Sequence, residues 1–225
     1  MSLEDRFGHK QLSEYESKKV LEENGIAVVE EDLAESAEEA RKLVEKFGIP
    51  AVMKVESRDI QHKTDAGGVN IVRDPNKAEE KYREIIESVK EYKEGAEIEG
   101  VLVEEFLEGN QFIAGINTDP QFGKVLMFGL GGIYVEVFRD LAFRVIPVEE
   151  YDVETMIEEL ESRPLLEGVR GQEKADMEQL KSTLRNVSEL AEKHPEIKEL
   201  DINPLFINGS TIKAADALIT LDERK

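Results

Sequence analysis

The stretch SRDIQHKTDAGGVNIV, at residues 57–72, places a nucleophile next to a positive charge in a glycine-rich loop. His62 offers an imidazole, which can act as a nucleophile near neutral pH, and Lys63 could neutralise an anion beside it. Gly67 and Gly68 follow, and we expect them to let the loop move. A surface histidine beside a lysine in a glycine-flanked loop is the plainer interpretation of the same residues.

Two further segments contain residues that suit an anionic ligand. Lys54 interrupts the hydrophobic strand sequence AVMKVES, and a lysine in a buried strand needs an anionic partner such as phosphate to offset desolvation. A solvent-facing lysine in an alternating strand is the alternative. In FGLGGIYVE, three glycines lie between two strands, where backbone amides can approach a ligand, although a tight turn would need glycine too.

The C-terminal segment predicts a hairpin that carries oxygen ligands. Asn208-Gly209 is a strong two-residue turn signal between the strand sequences ELDINPLFI and TIKAADALI. Counting outward from that turn predicts two facing pairs, Asp201 with Asp216 and Asn203 with Ala214.

In that register, Asp201 and Asn203 point to one face and Asp216 lies opposite or diagonal to them. Carboxylate and amide oxygens are the ligands that Mg²⁺ prefers. A solvated polar face on an edge hairpin is the alternative, and Pro204 favours an edge position because it cannot donate to a ladder.

Composition excludes several classes of protein. The chain has 225 residues, 40% of them hydrophobic, which is enough for one large domain or two small lobes. Its net charge of −21 argues against a nucleic-acid partner, and we expect no membrane association because no apolar run reaches the length of a span. The N-terminus lacks the apolar core of a signal peptide, so we expect a cytoplasmic protein. The absence of cysteine excludes disulfides and thiolate chemistry.

Helices and strands alternate in the first part of the chain and strands dominate after residue 100. Ser13 and Ser36 open two predicted helices with capping boxes, and a long helix follows Pro75. The pattern predicts an α+β fold whose smaller lobe covers residues 21–100 and whose larger lobe covers 101–225, with 1–20 packing on the larger one. A cleft between lobes is a common place for a ligand.

Six segments together resemble one family. They are LSEYESKKVLEENGI, MKVESRDIQHKTDAGGV, VLVEEFLEG, DPQFGKVLMFGLGGIYVE, LLEGVRG and ELDINPL, and they occur in the order seen in the ATP-grasp domain of NDP-forming acyl-CoA synthetases. The chain is similar over nearly its whole length to the separate β subunits of archaeal ADP-forming acetate–CoA ligases. The resemblance implies a single ATP-grasp domain over 1–225, with the nucleotide bound in the cleft between two α/β lobes.

The resemblance also implies roles for individual residues. His62 falls in an HK-D-GGV motif, and we expect it to be a phosphohistidine that relays phosphate to ADP. Residues implied to bind the nucleotide are Lys54, Lys63, Gly67, Gly68, Glu104 (for adenine and ribose), Glu136 and Arg170. Asn203 and Asp216 match the family's magnesium ligands, and Asp201 joins them. Related domains commonly have Glu at the position of Gln111.

The implied reaction is acyl-CoA + ADP + phosphate giving acid + CoA + ATP. No Rossmann-type CoA-binding fingerprint is present, and the chain ends at Lys225, where a succinyl-CoA synthetase β subunit continues into another domain. We therefore expect a separate α subunit that carries the CoA site and another phosphohistidine, in an α2β2 heterotetramer. A different ATP-grasp carboxylate ligase, such as a succinyl-CoA synthetase relative, and a non-catalytic nucleotide-binding interaction protein are the alternatives.

Overall fold

The computed structural model describes residues 2–60, 62–132, 139–169 and 172–222, and the chain divides into two compact units. Unit 1 comprises Met1–Val28 and Glu108–Lys225, and unit 2 comprises Val29–Leu107. These boundaries differ from the predicted ones, which follow residues 20 and 100. The segment VLVEEF forms a strand that pairs on both sides with strands of unit 2, so it belongs to the smaller sheet rather than to the larger lobe.

Unit 2 is a four-stranded antiparallel sheet packed against helices. Its strands are β1 (Glu31–Ala34), β2 (Ala51–Glu56), β3 (Val69–Val72) and β4 (Gly100–Glu105), in the order β1-β4-β2-β3. Its helices are α3 (Ala37–Phe47), a 3₁₀ turn (Pro75–Lys77) and α4 (Ala78–Tyr92). Ala40 and Val44 of α3 and Ile85 and Val89 of α4 pack with Val103 of β4 in one core. Burial of these apolar side chains stabilises the packing of the two helices on the sheet.

Unit 1 is built on a six-stranded antiparallel sheet. Its strands are β5 (Asn110–Asp119), β6 (Gly123–Leu130), β7 (Leu141–Val145), β8 (Ile197–Asn208), β9 (Thr211–Ala214) and β10 (Ala217–Leu221), in the order β10-β8-β5-β6-β7 with β9 also paired to β8. Its helices are α1 (Leu3–Phe7), α2 (Glu14–Glu23), α5 (Glu150–Glu158) and α6 (Met177–Lys193), with a 3₁₀ turn at Arg163–Glu167. Among the described residues, no helix is long and apolar enough to cross a membrane.

The predicted capping residues begin their helices. Ser13 accepts from the Glu16 amide and the Glu16 carboxylate accepts from the Ser13 amide, which completes the capping box of α2. Ser36 likewise accepts from the Glu39 amide at the start of α3. Local side-chain chemistry is sufficient to predict these two helix starts.

The predicted register of the C-terminal hairpin was wrong by one residue on each strand. Asn208 pairs with Thr211, so Gly209 and Ser210 form the turn. The cause is tertiary: the Asn208 Oδ1 accepts from the Glu173 amide at 3.0 Å, and the Gly209 carbonyl accepts from the Asp176 amide at 2.8 Å. These contacts keep Asn208 in the ladder, although its sequence favours the turn.

The expectation of an edge hairpin was also wrong. β8 lies inside the sheet, with β5 on one side and β9 and β10 on the other. Pro204 is tolerated there because the β5–β8 register shifts between Phe112 and Ala114, which leaves Ile113 opposite two residues of β8. Such a bulge needs no ladder donor from proline, and it can redirect neighbouring side chains.

Candidate functional site

Lys54 in unit 2 is paired with Glu104. Lys54 lies on β2 between Val69 of β3 and Leu102 of β4. Its Nζ is 3.0 Å from the Glu104 Oε2, and the side chains are 13% and 2% exposed. The lysine therefore has the anionic partner that burial requires, which argues against the solvent-facing alternative. An incoming phosphate group would compete with this carboxylate for the ammonium group.

His62 is exposed at the start of a compact turn. The Ala66 amide donates to the His62 carbonyl at 3.2 Å, and the Gly68 amide donates to the Lys63 carbonyl at 2.7 Å. Ala66 is buried beneath the turn, whereas the His62 side chain faces outward. The His62 imidazole is therefore accessible, and it lies on a turn that its own backbone hydrogen bonds hold in place.

Lys63 is held beneath the same turn by a buried carboxylate. Its Nζ lies 3.5 Å from the Glu56 Oε2, with the lysine side chain 14% exposed and the glutamate side chain 1% exposed. Glu56 ends β2, two residues after Lys54. The two candidate phosphate-binding lysines of unit 2 are thus each partnered by a buried glutamate.

The two glycines of the turn allow close packing. Gly67 has φ +67°, and a Cβ there would lie 2.9 Å from the Ser88 Cβ. A Cβ on Gly68 would lie 2.6 Å from the Val55 Cγ1. Because real Cβ atoms do not approach so closely, glycine is needed here for steric reasons.

Two of the three candidate metal ligands lie on β8, on the face of the unit 1 sheet that points away from the core. Leu200 and Ile202 of β8 are buried in the core, so the alternate residues Asp201 and Asn203 point away from it. The observed register places Leu218, not Asp216, opposite Asp201. Asp216 lies beside Asn203 instead, since the Asn203 amide donates to the Asp216 carbonyl at 3.3 Å.

The environment of Asp201 suits a cation. Its Oδ1 is buried and has no hydrogen-bond partner among the described residues. Burial raises the pKa of the Asp201 carboxyl, and the negative charge of Glu199 raises it further. A nearby cation would satisfy the buried oxygen and favour the ionised form. The oxygen donors of Asp201, Asn203 and Asp216 therefore fit Mg²⁺.

A glycine amide orients the Asn203 side chain. Gly132 N–H donates to the Asn203 Oδ1 at 2.9 Å, which leaves that oxygen a second lone pair for a metal. Gly132 has φ +63°, and a Cβ there would lie 2.2 Å from the Gln111 Oε1. The Gly-rich segment thus contributes a backbone donor to the candidate site, and Gln111 packs directly against that segment.

Two predicted residues lie outside the described part of the chain, namely Glu136 and Arg170. The sequence interpretation also missed the buried acidic partners, which are Glu56 below Lys63 and Glu14 beside Lys18. Glu14 and Lys18 could have been noticed from their i, i+4 spacing on a predicted helix. No pattern in the sequence singled out Glu56.

Comparisons with known proteins agree with the fold. A family model described as an ATP-grasp domain matches residues 5–221. The chain is 42% identical over 219 residues to the acetate–CoA ligase [ADP-forming] II subunit beta of Pyrococcus furiosus, covering 95% of this chain and 93% of that protein. The I subunit beta of the same organism is also 42% identical, over 215 residues and the same shares.

A solved structure gives the same result. It is the dinucleotide forming acetyl-coenzyme A synthetase 1 of Ca. Korarchaeum cryptofilum, in complex with coenzyme A, Ca-AMPCP and HgCl⁺. Its matching chain superposes with a TM-score of 0.92 at 43% identity, covering 97% of this chain and 96% of that one. The chain therefore belongs to the ATP-grasp family, among the β subunits of ADP-forming acetate–CoA ligases.

Proposed function

We propose that this chain is the nucleotide-binding subunit of an ADP-forming acyl-CoA synthetase, with His62 as a phosphoryl carrier. The complete reaction converts acyl-CoA, ADP and phosphate into acid, CoA and ATP. The observation that carries the proposal is the exposed His62 on an internally bonded turn, in a chain that is 42% identical to relatives named as subunits of this ligase.

The proposed transfer occurs in two displacements at phosphorus. A ring nitrogen of His62 attacks the phosphorus of a phosphohistidine on the partner subunit, so that one N–P bond forms as the other breaks. An oxygen of the ADP β-phosphate then attacks the same phosphorus, which forms the P–O bond of ATP and frees His62. Lys63 offsets the negative charge beside the imidazole.

We assign nucleotide binding in unit 2 to Lys54 and Glu104, together with Lys63, Gly67 and Gly68. The ADP phosphates would take over the Lys54 ammonium group from Glu104, whose carboxylate is then available to the ribose or adenine. The exchange keeps the buried lysine paired with an anion, and hydrogen bonds from the ribose or adenine would replace the lysine at the Glu104 carboxylate. Glu136 and Arg170 remain predicted contributors near the phosphates.

We assign metal binding in unit 1 to Asp201, Asn203 and Asp216. The buried Asp201 oxygen, which has no hydrogen-bond partner in the described part of the chain, supports this assignment. Bound Mg²⁺ would offset the negative charge that the phosphates bring. The chain's own contribution is to hold its oxygen donors in place through the sheet register and the Gly132 amide.

The proposal includes a separate α subunit that carries the CoA site and the donor phosphohistidine, in an α2β2 assembly. Support comes from the relatives, which are named as subunits beta. One solved relative is described with its phosphohistidine segment pointing towards the nucleotide binding site. This chain would accept the phosphoryl group when such a segment reaches His62.

The experiment is to reconstitute the chain with a candidate α subunit and compare His62→Ala with His9→Ala. Both histidines are exposed, so neither substitution creates a core cavity. ATP formation from acetyl-CoA, ADP and phosphate should fall by on the order of a thousandfold or more in His62→Ala, since a covalent carrier has no substitute. It should be unchanged in His9→Ala.

Mass spectrometry under non-acidic conditions should find phosphate on His62 during turnover. An undiminished rate in His62→Ala, or no phosphate on His62, would refute the carrier role. A screen of acyl-CoA substrates in the same assembly then tests the acid: preference for succinyl-CoA would favour the succinyl-CoA synthetase alternative.

A further inference from the structure

A buried ion pair on α2 has no role in the reaction proposed above. Lys18 Nζ lies 2.8 Å from the Glu14 Oε1, and the two side chains are 0% and 3% exposed. A buried pair gains little net stability over apolar residues of the same volume, because desolvation of both charges offsets their attraction. Stability alone therefore does not account for these charges.

The pair contacts the backbone beside a candidate metal ligand. Lys18 Nζ donates to the Ala215 carbonyl at 3.3 Å. Ala215 lies in the bend that separates β9 from β10, and the next residue is Asp216. The regular ladder is interrupted at this bend, so a side-chain donor can satisfy a carbonyl there.

Other bonds connect the same bend to β8. The Ala215 amide donates to the Pro204 carbonyl at 3.0 Å, and the Asn203 amide donates to the Asp216 carbonyl at 3.3 Å. β8 therefore holds the backbone before and after the Ala215–Asp216 peptide bond, and Lys18 binds the carbonyl of that peptide bond. A shift of Lys18 would act on the peptide group from which the Asp216 residue begins.

We infer that Lys18 is a positioning residue for Asp216, and that the ion pair with Glu14 holds Lys18 in place. Glu14 also matters for charge, because an unpaired ammonium group near a cation site would repel the cation. The neutral pair supplies a charge-assisted hydrogen bond to the bend without that repulsion. The inference rests on the proposed metal site and extends it to two residues of α2.

The test compares Mn²⁺ binding by the wild type and the double variant Glu14→Gln/Lys18→Met, with free Mn²⁺ counted by electron paramagnetic resonance. The double variant leaves neither charge of this pair buried alone. We expect its Mn²⁺ dissociation constant to rise about tenfold, the lower end of what loss of an outer-shell partner costs. Glu14→Asp, which keeps both charges but retracts the carboxylate, is the milder form and should give a smaller rise.

Ser17→Ala is the matched control. The Ser17 Oγ accepts from the Ile219 amide at 3.1 Å, so it joins the same helix to β10, beyond the bend that contains Asp216. We expect Ser17→Ala to lower the melting temperature while its Mn²⁺ dissociation constant changes less than about twofold, because the bond does not reach the bend.

The outcomes separate this inference from the metal proposal. Asp216→Ala is the reference for the metal site and should lose Mn²⁺ binding. If Asp216→Ala loses binding while the Glu14 and Lys18 variants keep wild-type affinity, the positioning role is refuted and the metal site stands. An equal rise of the Mn²⁺ dissociation constant in Ser17→Ala would also refute the positioning role. If the wild type takes up no Mn²⁺, both proposals fail.

Discussion

Unit 2 and unit 1 hold their candidate ligand groups in opposite electrostatic conditions. In unit 2, Lys54 and Lys63 face the buried carboxylates of Glu104 and Glu56. In unit 1, Asp201 keeps a buried oxygen that has no hydrogen-bond partner among the described residues. Binding an anion in unit 2 thus requires an exchange of partners, whereas binding a cation in unit 1 supplies a missing one.

This difference predicts how each set responds to substitution. Removing one member of a partnered set takes an opposite charge away from a buried group, so both stability and binding should decrease. Removing Asp201 from the metal set takes away a carboxylate whose buried oxygen has no hydrogen-bond partner among the described residues, so function should decrease more than stability. Three experiments test this difference between the two units.

The largest effect is expected for Asp216→Ala in the reconstituted enzyme. Loss of a metal ligand removes several kcal/mol of charge stabilisation, so Mg²⁺-dependent turnover should fall roughly a thousandfold. The circular dichroism spectrum should be unchanged, because Asp216 is only partly buried and lies in the bend between β9 and β10. Asp222→Ala, at an exposed position just after β10, is the control. Undiminished turnover in folded Asp216→Ala would show that Asp216 is not a ligand of a functional metal site in unit 1.

The next largest effect is expected for Lys54→Met in unit 2. Glu104 would lose this cationic partner, so the free energy of unfolding should fall by about 3 kcal/mol, and ADP should bind at least about tenfold more weakly. Denaturant unfolding and calorimetric titration measure the two quantities.

The double variant Lys54→Met/Glu104→Gln makes this test sharper. It removes both charges and should recover most of the lost stability without recovering ADP affinity. Recovery of both would mean that Lys54 acts on the nucleotide only through the fold.

The smallest effect is expected for Gly132→Ala in unit 1. The positive φ and the contact with Gln111 should shift the Gly132 amide away from the Asn203 Oδ1, which should weaken Mn²⁺ binding about threefold to tenfold. Gly123→Ala is the matched control, because Gly123 has φ +77° and no atom within 4 Å of an added Cβ. Equal losses of Mn²⁺ affinity in both variants would mean that backbone strain, and not the amide of Gly132, is responsible.

Local chemistry in the sequence predicted much of the framework. The N-caps at Ser13 and Ser36 follow from side-chain bonds within one turn of each helix. The ATP-grasp fold and the ligase family followed from segments whose residues and order were both recognisable. The exposed position of His62 agrees with its place in a glycine-rich loop.

Interactions between distant segments determine the two features that local sequence patterns did not predict. The hairpin turn moved to Gly209-Ser210 because the segment from Glu173 to Asp176 binds Asn208 and Gly209. The VLVEEF strand belongs to the smaller sheet because it pairs with β1 and β2. Both partners are far from it in sequence, so local patterns did not predict the pairing.

The order of amino acids specifies which chemical groups this protein has, where its helices begin and to which family it belongs. Which of those groups are paired depends on the tertiary structure. Lys54 with Glu104 and Lys18 with the Ala215 carbonyl are contacts across 50 and 197 positions of the chain. Local propensity reaches only a few residues, whereas the cost of burying a charge is settled by whatever the fold brings next to it.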